Sequence, residues 1–362
     1  MAKIEKVQTD LYKIPLAQAL TDSTHGMMVD FELITVRVTD SDGATGLGYT
    51  YTVNDGGAAV AVMVDRYLTP KLLGEDADLT EKIWQNLWWT LHYAGRGGHA
   101  TSAISAIDIA LWDLKGRRAA QPLWRLFGGH DPMVPVYAGG IDLELSLDDL
   151  LRQSDRFQAE GFRAIKMKVG RANLCEDVER VAAMRSHLGD DFPLMVDANM
   201  KWSADQAIRA ARALAEFNLV WIEEPTIPDD VAGNVRILRE GGQPIAGGEN
   251  LHTLYEFQQH ITAGALSFPE PDVSNCGGYT TFRKIASLAE AHNLPVTSHG
   301  VHDLTIQALA AAPNRSYMEA HGFGLDAYLA NPMRIVDGFA IAPELPGHGV
   351  DLEFAALESV RA

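Results

Sequence analysis

Three carboxylates recur at one spacing. Asp197, Glu223 and Glu249 follow one another at intervals of 26 residues. Each closes a short apolar run: Leu194–Asp197, Val220–Glu223 and Ile245–Glu249. A strand plus its return helix is about that long, so consecutive strands of one sheet would make the three acids neighbours. Hard oxygen donors gathered this way suit Mg²⁺, with water and substrate oxygens completing the shell. Packed together without a cation, they would repel and raise each other's pKa. A single acid after a strand is commonly a helix cap. Three at equal spacing point instead to a metal.

Other ionisable residues close the neighbouring runs. Lys166-Met167-Lys168 ends Ala164–Lys168, and period two puts both lysines on one face. Two close ammonium groups are expected to lower each other's pKa, which would make one a usable base. Asp272 closes Leu266–Asp272, His299 closes Pro295–His299, and Glu319 closes Ser316–Glu319. A carboxylate beside an imidazole fixes its tautomer and raises its basicity, so Asp272 and His299 read as a pair.

The elements that would position these residues follow from the same runs. With Val134–Ala138 in front, there are eight strand candidates separated by helical stretches such as Leu147–Glu160, Glu176–Leu188, Ala204–Phe217 and Thr280–His292. That count predicts an α/β fold, a modified TIM (β/α)₈ barrel, whose strand ends converge on one mouth. Upstream, Ile4–Ile14, Phe31–Thr39 and Gly46–Tyr51 read as strands, with a loop at Thr21–Asp30. Val60–Leu68, Leu79–His92 and Ala100–Arg118 read as helices. The expected organisation is an α+β capping domain over 1–130, the catalytic barrel over 131–330, and a tail over 331–362 that packs back on the capping domain.

Composition limits the partners. The formal charge of −18 disfavours nucleic acid and anionic membranes. It also requires a local positive charge if the substrate is an anion, which a bound cation would supply. No run of eighteen apolar residues is present, and the N-terminus alternates like a strand rather than a signal peptide. Two cysteines, Cys175 and Cys276, form no disulfide framework and fit a cytoplasmic protein.

In order along the chain, Lys166-Met167-Lys168, Val196-Asp197-Ala198-Asn199, Trp221-Ile222-Glu223-Glu224-Pro225, Gly247-Gly248-Glu249-Asn250, Pro271-Asp272, Ser298-His299-Gly300 and Met318-Glu319 resemble the enolase superfamily, mandelate racemase subgroup. The segment Ser105–Asp113 is similar too. Enolase-superfamily sites use a Lys or His base with one or two Mg²⁺ ions. The resemblance implies that Asp197, Glu223 and Glu249 ligate Mg²⁺, which binds the substrate carboxylate. It implies Lys168 as base on one face of the α-carbon and His299, with Asp272, as acid or base on the other. Lys166 would contact the carboxylate, Glu319 would hydrogen-bond it as a protonated donor, and Asn199 would assist near the metal.

An enzyme so built removes the α-proton of a small carboxylate through an enediolate. Polar cap loops carrying Thr24, His25, Tyr51 and Asn54 suit a hydroxylated substrate. The expected outcome is dehydration of a sugar acid or diacid to a 2-keto product, as in the acid-sugar dehydratases of the subgroup. Racemisation or epimerisation of a 2-hydroxy acid and cycloisomerisation are alternatives on the same site, and a non-catalytic homologue is a remote one. The resemblance also implies a homo-oligomer, octamers being frequent in the subgroup; the Trp84–Trp89 segment is a candidate surface for it or, equally, part of the core.

Overall fold

The computed structural model describes residues 2–321 and 323–362. The cap is a three-stranded antiparallel sheet, β1 (Ile4–Thr21), β2 (Met27–Asp40) and β3 (Thr45–Val53), in the order β1-β2-β3. The first two strands outrun their apolar alternation. They keep pairing past an irregularity at Pro15–Leu20, down to Thr21 opposite Met27, so the expected loop shrinks to the residues between them. Backbone pairing needs no apolar side chain, and the alternation could not show this extension.

Helix His99–Arg118 is buried on almost every side. It lies directly on β3 because that strand carries Gly46 and Gly48. A Cβ at either would come within 2.1 Å of the carbonyl oxygen of Ala110 or Ala106. Its other side meets helix Gly278–Ala291 of the barrel. There Asp108 accepts from the Thr280 amide and hydroxyl, Trp112 Nε1 donates to the same hydroxyl at 2.9 Å, and Ser105 accepts from the Gly277 amide.

Eight parallel strands follow: β4 (Met133–Gly139), β5 (Ile165–Lys168), β6 (Leu194–Asp197), β7 (Ile222–Glu223), β8 (Ile245–Gly247), β9 (Phe268–Pro269), β10 (Val296–Ser298) and β11 (Arg315–Ala320). Their ladder runs β10-β11-β4-β5-β6-β7-β8-β9, a barrel unzipped between its sixth and seventh strands. All eight expected strands are present, several of them shorter. Glu249, Asp272 and His299 do not close strands but lie in the first loop residues after β8, β9 and β10. Gly248, with φ +150°, breaks β8. Pro269 and Pro271 have no amide hydrogen to extend β9.

The tail first forms a hairpin, β12 (Ile335–Val336) with β13 (Phe339–Ile341), and β13 pairs antiparallel with β4. Only beyond it does the chain return to the cap. His348 bonds Leu47 and Asp113, and Arg361 Nη1 reaches Asp10 at 2.6 Å. Cys175 and Cys276 are both free thiols, and no helix is long and apolar enough to cross a membrane among the described residues.

Candidate active site

The parallel ladder puts Lys168 beside Asp197 and Asp197 beside Glu223 in register. Ligand oxygens of Asp197, Glu223 and Glu249 lie within 4.8 Å of one another at the barrel mouth. Asp197 Oδ1 accepts from the Asn199 amide at 2.8 Å, and Trp221 Nε1 donates to Glu223 at 3.2 Å. Both lysines are buried. Lys168 Nζ donates to Asp197 at 2.5 Å and Lys166 Nζ to Glu223 at 2.6 Å, with Glu319 at 2.7 Å.

This pairing reverses the expected pKa logic of the lysines. Burial works most strongly against the Lys168 charge and Lys166 repels it, but Asp197, Glu249 and Glu223 together outweigh both, so Lys168 stands above the ordinary lysine range. Lys166 is likewise held well up, by Glu223 and Glu319 against burial. Burial opposes ionisation of Asp197 too, yet Lys168 and Lys166 hold it below the usual range. Glu223 goes the other way: burial pushes it up to about 8 against the pull of Lys166, with Asp197, Glu319 and Glu249 adding to the push.

Glu319 also departs from expectation. Burial alone would neutralise it, but Lys166 and His321 hold it well below the usual range. Its oxygens accept from the Gly300 amide at 3.0 Å and face His321 Nε2 at 3.4 Å. Its contacts with Lys166 and the Gly300 amide are those of an acceptor.

Across the mouth, Asp272 Oδ2 meets His299 Nδ1 at 3.0 Å, while its Oδ1 accepts from the amide and hydroxyl of Ser274. His299 Nε2 is 3.3 Å from Glu249. Burial disfavours the imidazolium, but Glu249 and the Asp272 bond raise it well above the ordinary histidine value.

A cavity of about 490 Å³ joins these groups to the cap. His25, Tyr51, Asn54 and Asn199 line it, and Thr24 is not among its lining residues. The Thr24 hydroxyl donates to the Asn199 carbonyl, which anchors the loop. The Asn54 amide group is spent on the backbone of Met27 and Val29. Tyr51 keeps its hydroxyl 3.5 Å from Asp272. Asn199 Oδ1 is buried without a partner among the described residues.

Several residues of this site were not predicted. Glu270 is fully buried beneath it, accepts from Tyr137 at 3.1 Å, and is pushed well up by burial and then Glu223. It stands two residues before Asp272, so the period-two rule that paired the lysines could have found it. Glu224 holds Asn250 Nδ2 through both oxygens at 3.0 Å. His99, His252 and His321 also line the cavity, and no spacing distinguishes them from other histidines.

Comparison with known proteins agrees with this geometry. Residues 7–128 match the mandelate racemase / muconate lactonizing enzyme N-terminal domain, and residues 149–356 match the enolase C-terminal domain-like family. A 3,6-anhydro-alpha-L-galactonate cycloisomerase from Streptomyces coelicolor is 73% identical over 354 residues, 98% of each chain. A crystal structure of a racemase from Streptomyces coelicolor A3(2) with bound magnesium superposes with a TM-score of 0.98 at 71% identity, covering 99% of this chain and 100% of that one. An L-talarate dehydratase from Polaromonas sp. JS666, complexed with Mg and L-glucarate, gives 0.95 at 34% identity, covering 100% and 98%. The chain belongs to the enolase superfamily, in its mandelate racemase / muconate lactonizing enzyme family.

Proposed function

We propose that this protein is a Mg²⁺-dependent enzyme that opens a 3,6-anhydro sugar monoacid by removing its α-proton. The metal fits the residues present. Three carboxylates converge within 4.8 Å, and the two ammonium groups beside them still leave Glu223 at about 8, so the set accommodates further positive charge. Bound by Asp197, Glu223 and Glu249, Mg²⁺ would draw negative charge onto the substrate carboxylate oxygens as the proton leaves.

The chain's own groups supply the rest. Lys168 and the His299–Asp272 pair flank the space above the carboxylates, one for each face of the α-carbon, and a cation on Asp197 and Glu249 would take over the carboxylates that now hold both groups protonated, freeing either to act as the base. Lys166 presents a fixed ammonium to the substrate carboxylate, and Glu319 holds that ammonium and the Gly300 amide in place.

Dehydration and cycloisomerisation are one elimination with different leaving groups. In a 3,6-anhydro acid the oxygen on C3, β to the carboxylate, is also bonded to C6. Loss of the C2 proton expels it from C3, but it stays on C6 as a hydroxyl. The enol becomes a 2-keto acid, and no water leaves.

The make-up of the cavity wall favours a monoacid. Among the described residues lining it there is no arginine, and its two lysines are already paired with carboxylates. A second substrate carboxylate would find imidazoles as its only unpaired source of positive charge among the described lining residues, while an ether or hydroxyl is served by Tyr51, Ser274 and Asn275. The 73% identical cycloisomerase supports the same choice.

The test is NMR of the purified protein with Mg²⁺ and 3,6-anhydro-L-galactonate in D₂O. Ring opening to an isomeric 2-keto acid is expected, deuterated at C3. No reaction there, with galactarate or L-talarate losing water instead, would replace this reading by a diacid dehydratase. We further propose a cytoplasmic homo-oligomer, in which the exposed Trp89, Tyr93 and Tyr255 would be covered. Sedimentation at the monomer mass would contradict the oligomer.

A further inference from the structure

A second histidine–aspartate pair faces the cavity from the cap. His25 Nδ1 donates to Asp22 Oδ2 at 2.7 Å, and Asp22 Oδ1 accepts from the amides of Thr24 and His25 at 2.8 and 2.7 Å. Asp22 is almost wholly buried, with 5% of its side chain exposed, whereas the imidazole is 46% exposed. The arrangement repeats that of His299, whose Nδ1 meets Asp272 Oδ2 at 3.0 Å while Asp272 Oδ1 accepts backbone and hydroxyl donors. In both, the carboxylate fixes the ring and leaves Nε2 for other work.

The loop carrying this pair is fastened to the barrel. Ser23 Oγ donates to the Ala198 carbonyl at 2.6 Å, Thr24 Oγ1 donates to the Asn199 carbonyl, and Lys201 Nζ donates to the Ser23 carbonyl at 3.1 Å. Ser23 also packs on Gly170, where a Cβ would meet the serine Cβ at 3.0 Å. The pair therefore sits over the ends of β5 and β6, on the Lys168 side, with His299 across the mouth. The charged groups around His25 are Asp22, Glu249 and Lys168. Asp22 raises it above the ordinary histidine value, and Asp22 itself is held at about 2.

The reaction proposed above needs, besides the base, a proton donor for the oxygen that leaves C3. The substrate carboxylate is held low, among the metal ligands and Lys166. The departing oxygen sits on C3, beyond the α-carbon from the carboxylate, and stays bonded to C6, which places it on the cap side of the bound acid. We propose that His25, oriented by Asp22, is the proton donor to that oxygen. The step balances as follows. The C2 proton passes to Lys168 or His299, according to the configuration at C2, and its electron pair forms the C2–C3 double bond. The C3–O bond breaks, its electron pair stays on oxygen, and the His25 Nε2 proton makes it the C6 hydroxyl. The enol then takes a proton at C3 to give the keto acid, and solvent reprotonates His25.

This inference rests on the anhydro-acid reading, and the test separates the two. Wild-type protein, His25→Asn, His25→Gln and Asp22→Asn are each incubated with Mg²⁺ and 3,6-anhydro-L-galactonate in D₂O, and C2 exchange and ring opening are followed by NMR. Both His25 variants should keep C2 exchange within about threefold of wild type while ring opening falls by about a hundredfold or more, the scale of general acid catalysis. Asp22→Asn should shift the alkaline limb of the ring-opening pH profile downward, which a merely structural role would not do. Ring opening by the His25 variants at near wild-type rate, or loss of exchange and opening together, would overturn the proposal and leave the anhydro-acid reading standing. No opening by wild-type protein would overturn both.

Discussion

Lys168 donates to Asp197 at 2.5 Å, so the base proposed for one face of the substrate is tied to a proposed metal ligand. Lys168→Ala should abolish solvent deuterium exchange at the α-carbon of substrates that present their proton to that face. A loss of about a hundredfold or more is expected, in line with removal of a general base. Because the ammonium competes with a cation for Asp197, Mg²⁺ affinity should hold or rise in the same variant. Exchange at the wild-type rate, followed by NMR in D₂O, would remove Lys168 as the base.

Glu249 sits between the two halves of the site, in the carboxylate set and 3.3 Å from His299 Nε2. Glu249→Gln should weaken Mg²⁺ binding by at least about tenfold, since even partners outside the metal's own shell are worth that much. Titration calorimetry measures this directly. Unchanged affinity would contradict the ligand role.

Most of this site was legible because its residues obey two periods. The 26-residue step found Asp197, Glu223 and Glu249, and the step of two found Lys166 and Lys168. What the periods could not show was sign and reach. Two lysines side by side read as mutual repulsion, but each has a closer carboxylate, and the nearer attraction wins. Glu319 read as a proton donor because acids crowd it, yet its immediate neighbours are Lys166, the Gly300 amide and His321. Loop side chains were the least readable. Thr24 and Asn54 spend their hydrogen bonds on backbone, which depends on how the loop folds and not on composition. In the fold, the barrel followed from eight alternating units. The tail alternates like β structure over Arg334–Ile341, and the hairpin forms there; what alternation could not show is its pairing with β4 of the barrel before the chain returns to the cap.

Asp108 makes the cap–barrel seam pH-dependent. Burial pushes its carboxyl from 3.8 up to about 7, against the two bonds from Thr280. The folded protein thus keeps a proton that the unfolded chain releases near pH 4, and stability contributed by this group falls as pH rises from about 4 to about 7. At roughly 1.4 kcal/mol per pKa unit the effect amounts to a few kcal/mol. Asp108→Asn imitates the protonated acid, since its oxygen can accept from the Thr280 amide and its nitrogen can donate to the Thr280 hydroxyl. The melting temperature of Asp108→Asn relative to wild type should therefore climb between pH 5 and pH 8. Parallel profiles would show that Asp108 does not titrate in this window.

Asp113 joins three distant parts of the chain through one buried carboxylate. Its Oδ2 accepts from the Leu47 amide of β3 and from Arg117 Nε, and its Oδ1 accepts from the His348 amide of the tail. Gly347 makes the approach possible: at φ +78°, a Cβ there would fall 1.9 Å from Asp113 Oδ1. Gly347→Ala must distort this junction as well as strain the backbone, and Asp113→Ala leaves two backbone amides without an acceptor. Each should cost about 3 kcal/mol or more, as breaking a buried charged hydrogen-bond set does. Gly43→Ala is the control. Gly43 has a similar φ of +82° but open space around it, so only the left-handed strain of about 1–2 kcal/mol remains. Urea unfolding of the three variants measures the differences. If Gly347→Ala costs no more than Gly43→Ala, the contact with Asp113 is not what holds the tail to the cap.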